Sequence, residues 1–312
     1  MIRVAPLTDS TNLIGNPEAL RERWQNDGVL FMRGVLDPEL IGWARGKYRD
    51  VLVSEGLIVL ENETPLWTGK EPRSRNPCNA LGTEVWREIV KQPALNQIVR
   101  NIFEGEPVWI PIAQHRSGMP SGPVEKDIFS GRHQDGFFNE GMNFLICWIP
   151  MRDITMNSGS FAVAPGTHKN GTLHVEGADG TIPAGVIPDE AWRAADFKVG
   201  DVLIFSHLTA HATLPNPSNE IRMSLDVRAI PEYAPQPVVG TVELVENRDV
   251  TIRRDEGGVA TVRVSDTTFI RDMHPHPRIP TGELGRIAYP GARVMAMAHE
   301  DGIATVLRSF AY

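Results

Sequence analysis

Apolar and polar positions change their period along this chain. After Asp37 and Pro38, the apolar residues Leu40, Ile41, Ala44, Tyr48, Val51 and Leu52 recur at helical spacing. The aspartate supplies a side-chain cap and the proline a first helical residue that needs no N–H partner. Leu95, Ile98, Val99 and Ile102 repeat the helical period, and Trp86 and Ile89 mark a neighbouring helix before them. A short strand over residues 29–33 interrupts this otherwise helical first third.

From about residue 108 the apolar runs shorten and are broken by Gly, Pro, Asn and Ser, which predicts strands over 108–114, 142–150, 160–164, 202–206 and 221–230. Many short strands at close spacing form a sandwich or barrel. Helices first and strands later therefore predict an α+β, β-rich fold: a double-stranded β-helix (jelly-roll or cupin-like) core with N-terminal helices packed on one sheet. Residues 232–312 carry further alternating segments at 238–245 and 259–264 and a Pro- and His-containing loop at 273–280. They are expected to be a β-rich C-terminal extension packed on the 1–231 domain, serving as a lid or a homodimer contact.

Composition narrows the function classes. The chain has 312 residues, 41% hydrophobic and 22% charged, enough for a substantial core, and its net charge of −8 with no basic stripe argues against nucleic acid as a partner. Cys78 and Cys147 have no paired spacing, which fits a reducing cytoplasm. No run approaches ~18 apolar residues and the first residues lack a signal-peptide pattern, so neither a membrane span nor export is expected.

The candidate chemistry begins with histidine, one residue, then a carboxylate. Three such triplets occur, His133-Gln-Asp135, His174-Val-Glu176 and His299-Glu-Asp301, where chance alone gives roughly one. The third has no later histidine to complete a site. The second lies in a Gly-rich polar loop with nothing rigid to hold two ligands. The first precedes a strong strand and has His207 and His211 downstream. Two imidazoles and one carboxylate cap one face of a ferrous ion and leave the other open for oxygen and a co-substrate.

The segment after residue 200 supports that choice. A buried strand at 202–206 is followed by His207 and His211, a turn at 215–219, and a strand in which Ile221, Met223, Leu225 and Val227 alternate with Arg222, Ser224, Asp226 and Arg228. A hairpin symmetric about the turn would set His211 opposite Arg222, with Thr213 on the same face. His207 is the rival distal ligand, but its hairpin partner would be Asp226, and Phe205 and Leu208 beside it suit a core histidine. An arginine near an iron site suits an acid that chelates the metal at one end and presents a carboxylate at the other, the shape of 2-oxoglutarate. The competing reading of this strand is a solvated polar face.

These residues resemble the phytanoyl-CoA dioxygenase family of iron(II)- and 2-oxoglutarate-dependent oxygenases across about residues 28–228. The resemblance rests on Gly28-Val-Leu-Phe-Met-Arg33-Gly with Asp37-Pro38, His133-Gln-Asp135-Gly, Trp148-Ile-Pro-Met-Arg-Asp153 leading to Asn157-Ser-Gly159-Ser, Pro165-Gly-Thr-His168-Lys, Gly200-Asp201-Val-Leu-Ile-Phe205, and His211-Ala-Thr213 with Arg222. It implies that His133, Asp135 and His211 bind Fe(II), that Arg222 grips the far carboxylate of 2-oxoglutarate with Thr213 assisting, and that Gln114 lies near the co-substrate. It also implies that His168 is structural, and the carboxylate of Asp135 argues against a halogenating relative.

The expected activity is therefore hydroxylation of an unactivated carbon of a small molecule (natural product, lipid or amino-acid derivative), consuming O2 and 2-oxoglutarate and releasing succinate and CO2. Phe137, Phe138 and Trp148 are candidate substrate-pocket walls, equally at home in a core. Desaturation and cyclisation start in the same way, so the outcome and the substrate stay open. The alternatives are a cupin-type metal enzyme that has no use for Arg222 and a non-catalytic jelly-roll binding module.

Overall fold

Asp37 caps the helix Pro38–Ser54 by accepting a 2.9 Å hydrogen bond from the Glu39 N–H, with Pro38 in the first turn. The helix buries Ile41, Ala44, Tyr48 and Leu52. The computed structural model describes residues 4–74, 76–121, 127–175, 180–272 and 279–309. Asn16 and Pro17 repeat the same start signal and open a further helix, Pro17–Asp27, that apolar periodicity alone does not mark because it buries only Leu20. Glu84–Ile89 and Pro93–Phe103 complete the helical part.

The chain divides into two compact units, one of Met1–Gln134 with Phe144–Ile230, the other of Asp135–Asn143 with Pro231–Tyr312. In the first unit, two five-stranded sheets carry the fold. One runs in the order Val29–Met32, Val202–Ser206, Leu145–Pro150, Arg222–Pro231, Pro107–Gly118. The other runs Ala5–Pro6, Arg193–Ala194, Phe161–Val163, His211–Thr213, Ser130–His133. The helices cover the first sheet: Leu20, Ile41, Leu52, Ile89, Leu95 and Ile98 share one core with Leu145, Cys147, Ile149, Val202, Ile204, Met223, Leu225 and Val227.

The opposite face of that sheet meets the second sheet through aromatic rings. Trp148 stacks on Phe161 at 5.2 Å, and Phe205 lies 5.5 Å from Phe161. This is the β-rich, jelly-roll-like layering with helices on one sheet that the period change predicts. Strand alternation sends Arg222, Ser224, Asp226 and Arg228 to this inner face, where all four are buried. A solvated polar face is therefore ruled out. Instead Asp226 accepts from Arg116 Nε at 2.9 Å, and Arg228 donates to the Ile112 carbonyl at 2.7 Å.

The hairpin register is corrected by the sheet topology. His211–Thr213 pairs with Phe161–Val163 and Ser130–His133 in one sheet, whereas Arg222–Pro231 pairs with Leu145–Pro150 in the other. The eight residues between the two strands cross from sheet to sheet, so His211 and Arg222 are not cross-strand partners.

The second unit has its own six-stranded sheet, in the order Val259–Arg263, Asp249–Arg254, Val238–Glu246, Arg293–Ala298, Ala304–Ser309, Phe269–Arg271. Its core is built on Val242, Val250, Ile252, Val294, Ala296 and Leu307. Most of the expected 273–280 loop lies outside the described residues. No helix among the described residues is long and apolar enough to cross a membrane.

Candidate metal centre

His133 ends one strand and His211 begins its antiparallel neighbour, and the two are direct cross-strand partners. Their rings lie 4.1 Å apart between centroids. Two residues beyond His133 the strand gives way to the short 3-10 turn Asp135–Asn139, which brings the Asp135 carboxylate to the same place. One donor atom from each of His133, Asp135 and His211 lies within 4.8 Å of the others, and this is the sole such group of three among the described residues. That spacing suits three ligands on one face of a single divalent ion.

Backbone carbonyls set the imidazole tautomers. His133 Nδ1 lies 2.6 Å from the Gly131 carbonyl and His211 Nδ1 lies 3.0 Å from the Thr209 carbonyl. A carbonyl can only accept, so both Nδ1 atoms carry the proton and the basic lone pair sits on Nε2. This is the arrangement that orients a ligating histidine and raises its basicity. Behind His211, Phe161 stacks at 5.3 Å and Phe205 lies at 4.9 Å. The apolar wall keeps water from that side of the ligands.

The residue between the first two ligands works as a brace. Gln134 is fully buried, donates from Nε2 to the Gly171 and Leu208 carbonyls at 2.9 and 2.7 Å, and accepts from the Leu173 N–H at 2.7 Å. Its own N–H donates to His174 Nε2 at 3.0 Å. Burial, with the neighbouring His133, pushes the His174 imidazole down to about 4, so it stays neutral and can accept that bond. His174 thus supports the ligand strand without being a ligand, a role that its own His-x-Glu pattern does not announce; Glu176 lies outside the described residues.

Arg222 lies beside Thr213. Its Nη1 donates to the Gly159 carbonyl at 3.0 Å and lies 3.4 Å from Thr213 Oγ1, while its buried Nε has no hydrogen-bond partner. Burial first and the Arg116 charge second push the guanidinium down to about 10, with Asp226 opposing. Thr213 stands two strand residues from His211, a separation of about 6–7 Å on the same face. The unpartnered Nε is a donor without an acceptor.

Gly118 makes room for Arg222, and Gly159 for Asn216. A Cβ at Gly118 would stand 2.9 Å from Arg222 Nε, and one at Gly159 would stand 3.1 Å from Asn216 Cβ and 3.8 Å from Arg222 Cδ. Gly159 belongs to the Asn157-Ser-Gly159-Ser motif, whereas Gly118 does not stand out from the sequence pattern. Gln114 lies on the same strand face as Arg116 and Gly118, with its Oε1 buried and unpartnered.

The remaining candidates separate cleanly. His207 packs on Phe144 at 5.2 Å and is outside the group of three. His168 fills the space over Gly28, where a Cβ would come within 2.4 Å of its ring, and its Nε2 lies 3.3 Å from the Gln25 carbonyl, a structural placement. Phe137 and Phe138 are half-buried and meet edge to face at 5.2 Å. Trp148 is 1% exposed between Phe161 and Phe197, so it buttresses the aromatic wall from behind and does not line a pocket.

Residues 24–224 match the family model described as phytanoyl-CoA dioxygenase. Two relatives, both named 1-deoxypentalenic acid 11-beta-hydroxylase, come from Streptomyces arenae and Streptomyces exfoliatus. Each is 30% identical over 245 residues, covering 72% of this chain and 84% of the relative. A solved structure described as the non-heme alpha ketoglutarate dependent carbocyclase SnoK from nogalamycin biosynthesis is similar with a TM-score of 0.54 at 19% identity, over 92% of this chain and 95% of that one. At that identity the likeness speaks for the fold alone.

Proposed function

This chain belongs to the phytanoyl-CoA dioxygenase family, and from that premise we propose that His133, Asp135 and His211 hold its iron(II) while Arg222 and Thr213 receive the far carboxylate of 2-oxoglutarate, with Gln114 at the edge of that pocket. The protein is an iron(II)- and 2-oxoglutarate-dependent oxygenase. When bound, the metal and co-substrate supply oxygen activation coupled to decarboxylation, with release of succinate and CO2. The protein's own groups do the rest. The two Nδ1–carbonyl contacts orient the imidazoles, the Phe161 and Phe205 rings exclude water, and the Arg222 guanidinium fixes the co-substrate's direction.

The observation that supports this reading most is the pairing of a three-ligand face with a buried guanidinium whose Nε lacks an acceptor. Hydroxylation of an unactivated carbon in a small molecule is the proposed outcome, supported by the hydroxylase names of the two relatives. Their name makes 1-deoxypentalenic acid the first compound to offer, with Phe137 and Phe138 as proposed walls.

Anaerobic titration with iron(II) and then 2-oxoglutarate tests the site. A visible charge-transfer band is expected in the wild type and is lost in His211→Ala. A band that persists in Arg222→Ala with unchanged 2-oxoglutarate affinity would overturn the clamp assignment. Residence in a reducing cytoplasm belongs to the same proposal, supported by two buried, unlinked thiols, Cys78 and Cys147. So does pairing of two copies through residues 232–312, for which the exposed Tyr233, Leu244, Val259 and Tyr289 speak; light scattering of the full chain decides it.

A further inference from the structure

The turn Asp135–Asn139 belongs to the same compact unit as Pro231–Tyr312. Three side chains make that attachment. Asn139, 4% exposed, donates from Nδ2 to the Asp135 carbonyl at 2.9 Å, closing the 3-10 turn on itself. Its Oδ1 accepts from Arg308 Nη1 and, at 3.3 Å, from Arg271 Nη1. Arg271 Nη1 also donates to the Phe138 carbonyl at 2.6 Å, with its guanidinium 5.5 Å from the Phe138 ring centroid.

The placement of the two arginines is unusual for a sheet. Arg271 and Arg308 are register partners on adjacent parallel strands, so two like charges stand side by side. Direct juxtaposition of like charges in a sheet is destabilising, yet here both converge on a single amide oxygen. Next to it the chain runs so close to the Ala304–Ser309 strand that a Cβ at Gly141 would come within 3.2 Å of the Thr305 carbonyl oxygen.

We propose that Asn139, Arg308 and Arg271 form a latch through which the C-terminal unit positions the metal-binding carboxylate of Asp135 and the neighbouring Phe138. All three are positioning residues: they act on the backbone of the turn and touch neither metal nor co-substrate. The inference rests on the assignment of Asp135 as a ligand under Proposed function. Groups that hold metal ligands from behind typically contribute a factor of about 10–100 to metal affinity.

The test is anaerobic Co(II) titration of the metal-free full chain, read by visible absorbance, beside the thermal unfolding of the metal-free protein. Asn139→Ala and Arg308→Gln are expected to weaken Co(II) binding by about 10–100-fold with metal-free unfolding close to wild type, and Arg308→Lys is expected to recover part of the loss. Asn139→Asp keeps acceptors for both arginines but cannot donate to the Asp135 carbonyl, so it is expected to lose affinity too, and it serves if the alanine variant does not fold. A wild type that takes up no Co(II), or a His211→Ala variant that binds it equally well, overturns the metal site and the latch with it. A wild type that binds while the Asn139 and Arg308 variants bind as tightly overturns the latch alone.

Discussion

Replacing Arg222 by methionine should stabilise the metal-free protein while abolishing its response to 2-oxoglutarate. Burial holds the guanidinium at about 10 instead of its ordinary 12.5, which at 1.36 kcal/mol per pH unit places about 3 kcal/mol of cost on the charged form. The sign follows from proton counting. A base whose folded value is lowered binds its proton less tightly folded than unfolded, so at neutral pH the charge weighs against the native state. Methionine keeps most of the side-chain volume without the charge. It forfeits the hydrogen bond to the Gly159 carbonyl, which costs about 1 kcal/mol. The net expectation is a gain of about 2 kcal/mol, or about 4–8 °C in melting temperature at 2–4 °C per kcal/mol.

The assay is thermal unfolding of the metal-free wild type and Arg222→Met, each alone and with Mn(II) plus 2-oxoglutarate. The wild type should start lower and rise on adding the pair, because the diacid supplies the counter-charge that the folded protein lacks. The variant should start higher and gain only what the metal gives. An unchanged or lower melting temperature in the metal-free variant refutes the desolvation argument. A full 2-oxoglutarate response in the variant refutes the clamp.

Gly118→Ala places a methyl 2.9 Å from Arg222 Nε and 3.2 Å from its Cζ. It should weaken 2-oxoglutarate binding about tenfold, about 1.4 kcal/mol, with Co(II) affinity retained; equal affinity for 2-oxoglutarate would mean that the guanidinium has room to move. His115 gives a pH test away from the metal. Its buried imidazole faces Tyr48 and is pushed down to about 4 by burial, with Asp226 opposing. As pH falls from about 6.5 towards 4 the unfolded chain takes up a proton that the folded one refuses, so stability is lost across that window, by about 3 kcal/mol in full. Urea unfolding at pH 7.0 and 4.5 should show His115→Leu losing less stability than the wild type, and equal losses would rule the histidine out.

Local chemistry was legible in the sequence wherever ligand and context lie close in the chain. Asp37-Pro38 is a helix start because a cap needs only its own next turn. His133 and Asp135 are neighbours by covalent connection, whereas His211 was preferred to His207 partly because a symmetric hairpin would set it opposite Arg222. Arg222 was reached by a hairpin register that the fold does not contain. Alternation tells which residues share a face but not which strand lies alongside. The loop after Leu214 leads into a different sheet, so the arginine meets Thr213 across the interior and not across a ladder.

The amino-acid sequence by itself determined the helix-then-strand layout, the three ligand types and their order, and the presence of an arginine on a polar strand face, because these depend on period, capping and donor chemistry. Only the tertiary structure decided that this face is buried, that Gly118 leaves the guanidinium its space, and that the Asp135 turn is held by residues of the C-terminal strands. Arg271 reaches Phe138 across 133 residues and Arg308 reaches Asn139 across 169. No local pattern encodes contacts of that span, since they exist only once the C-terminal strands have fixed where each arginine lies.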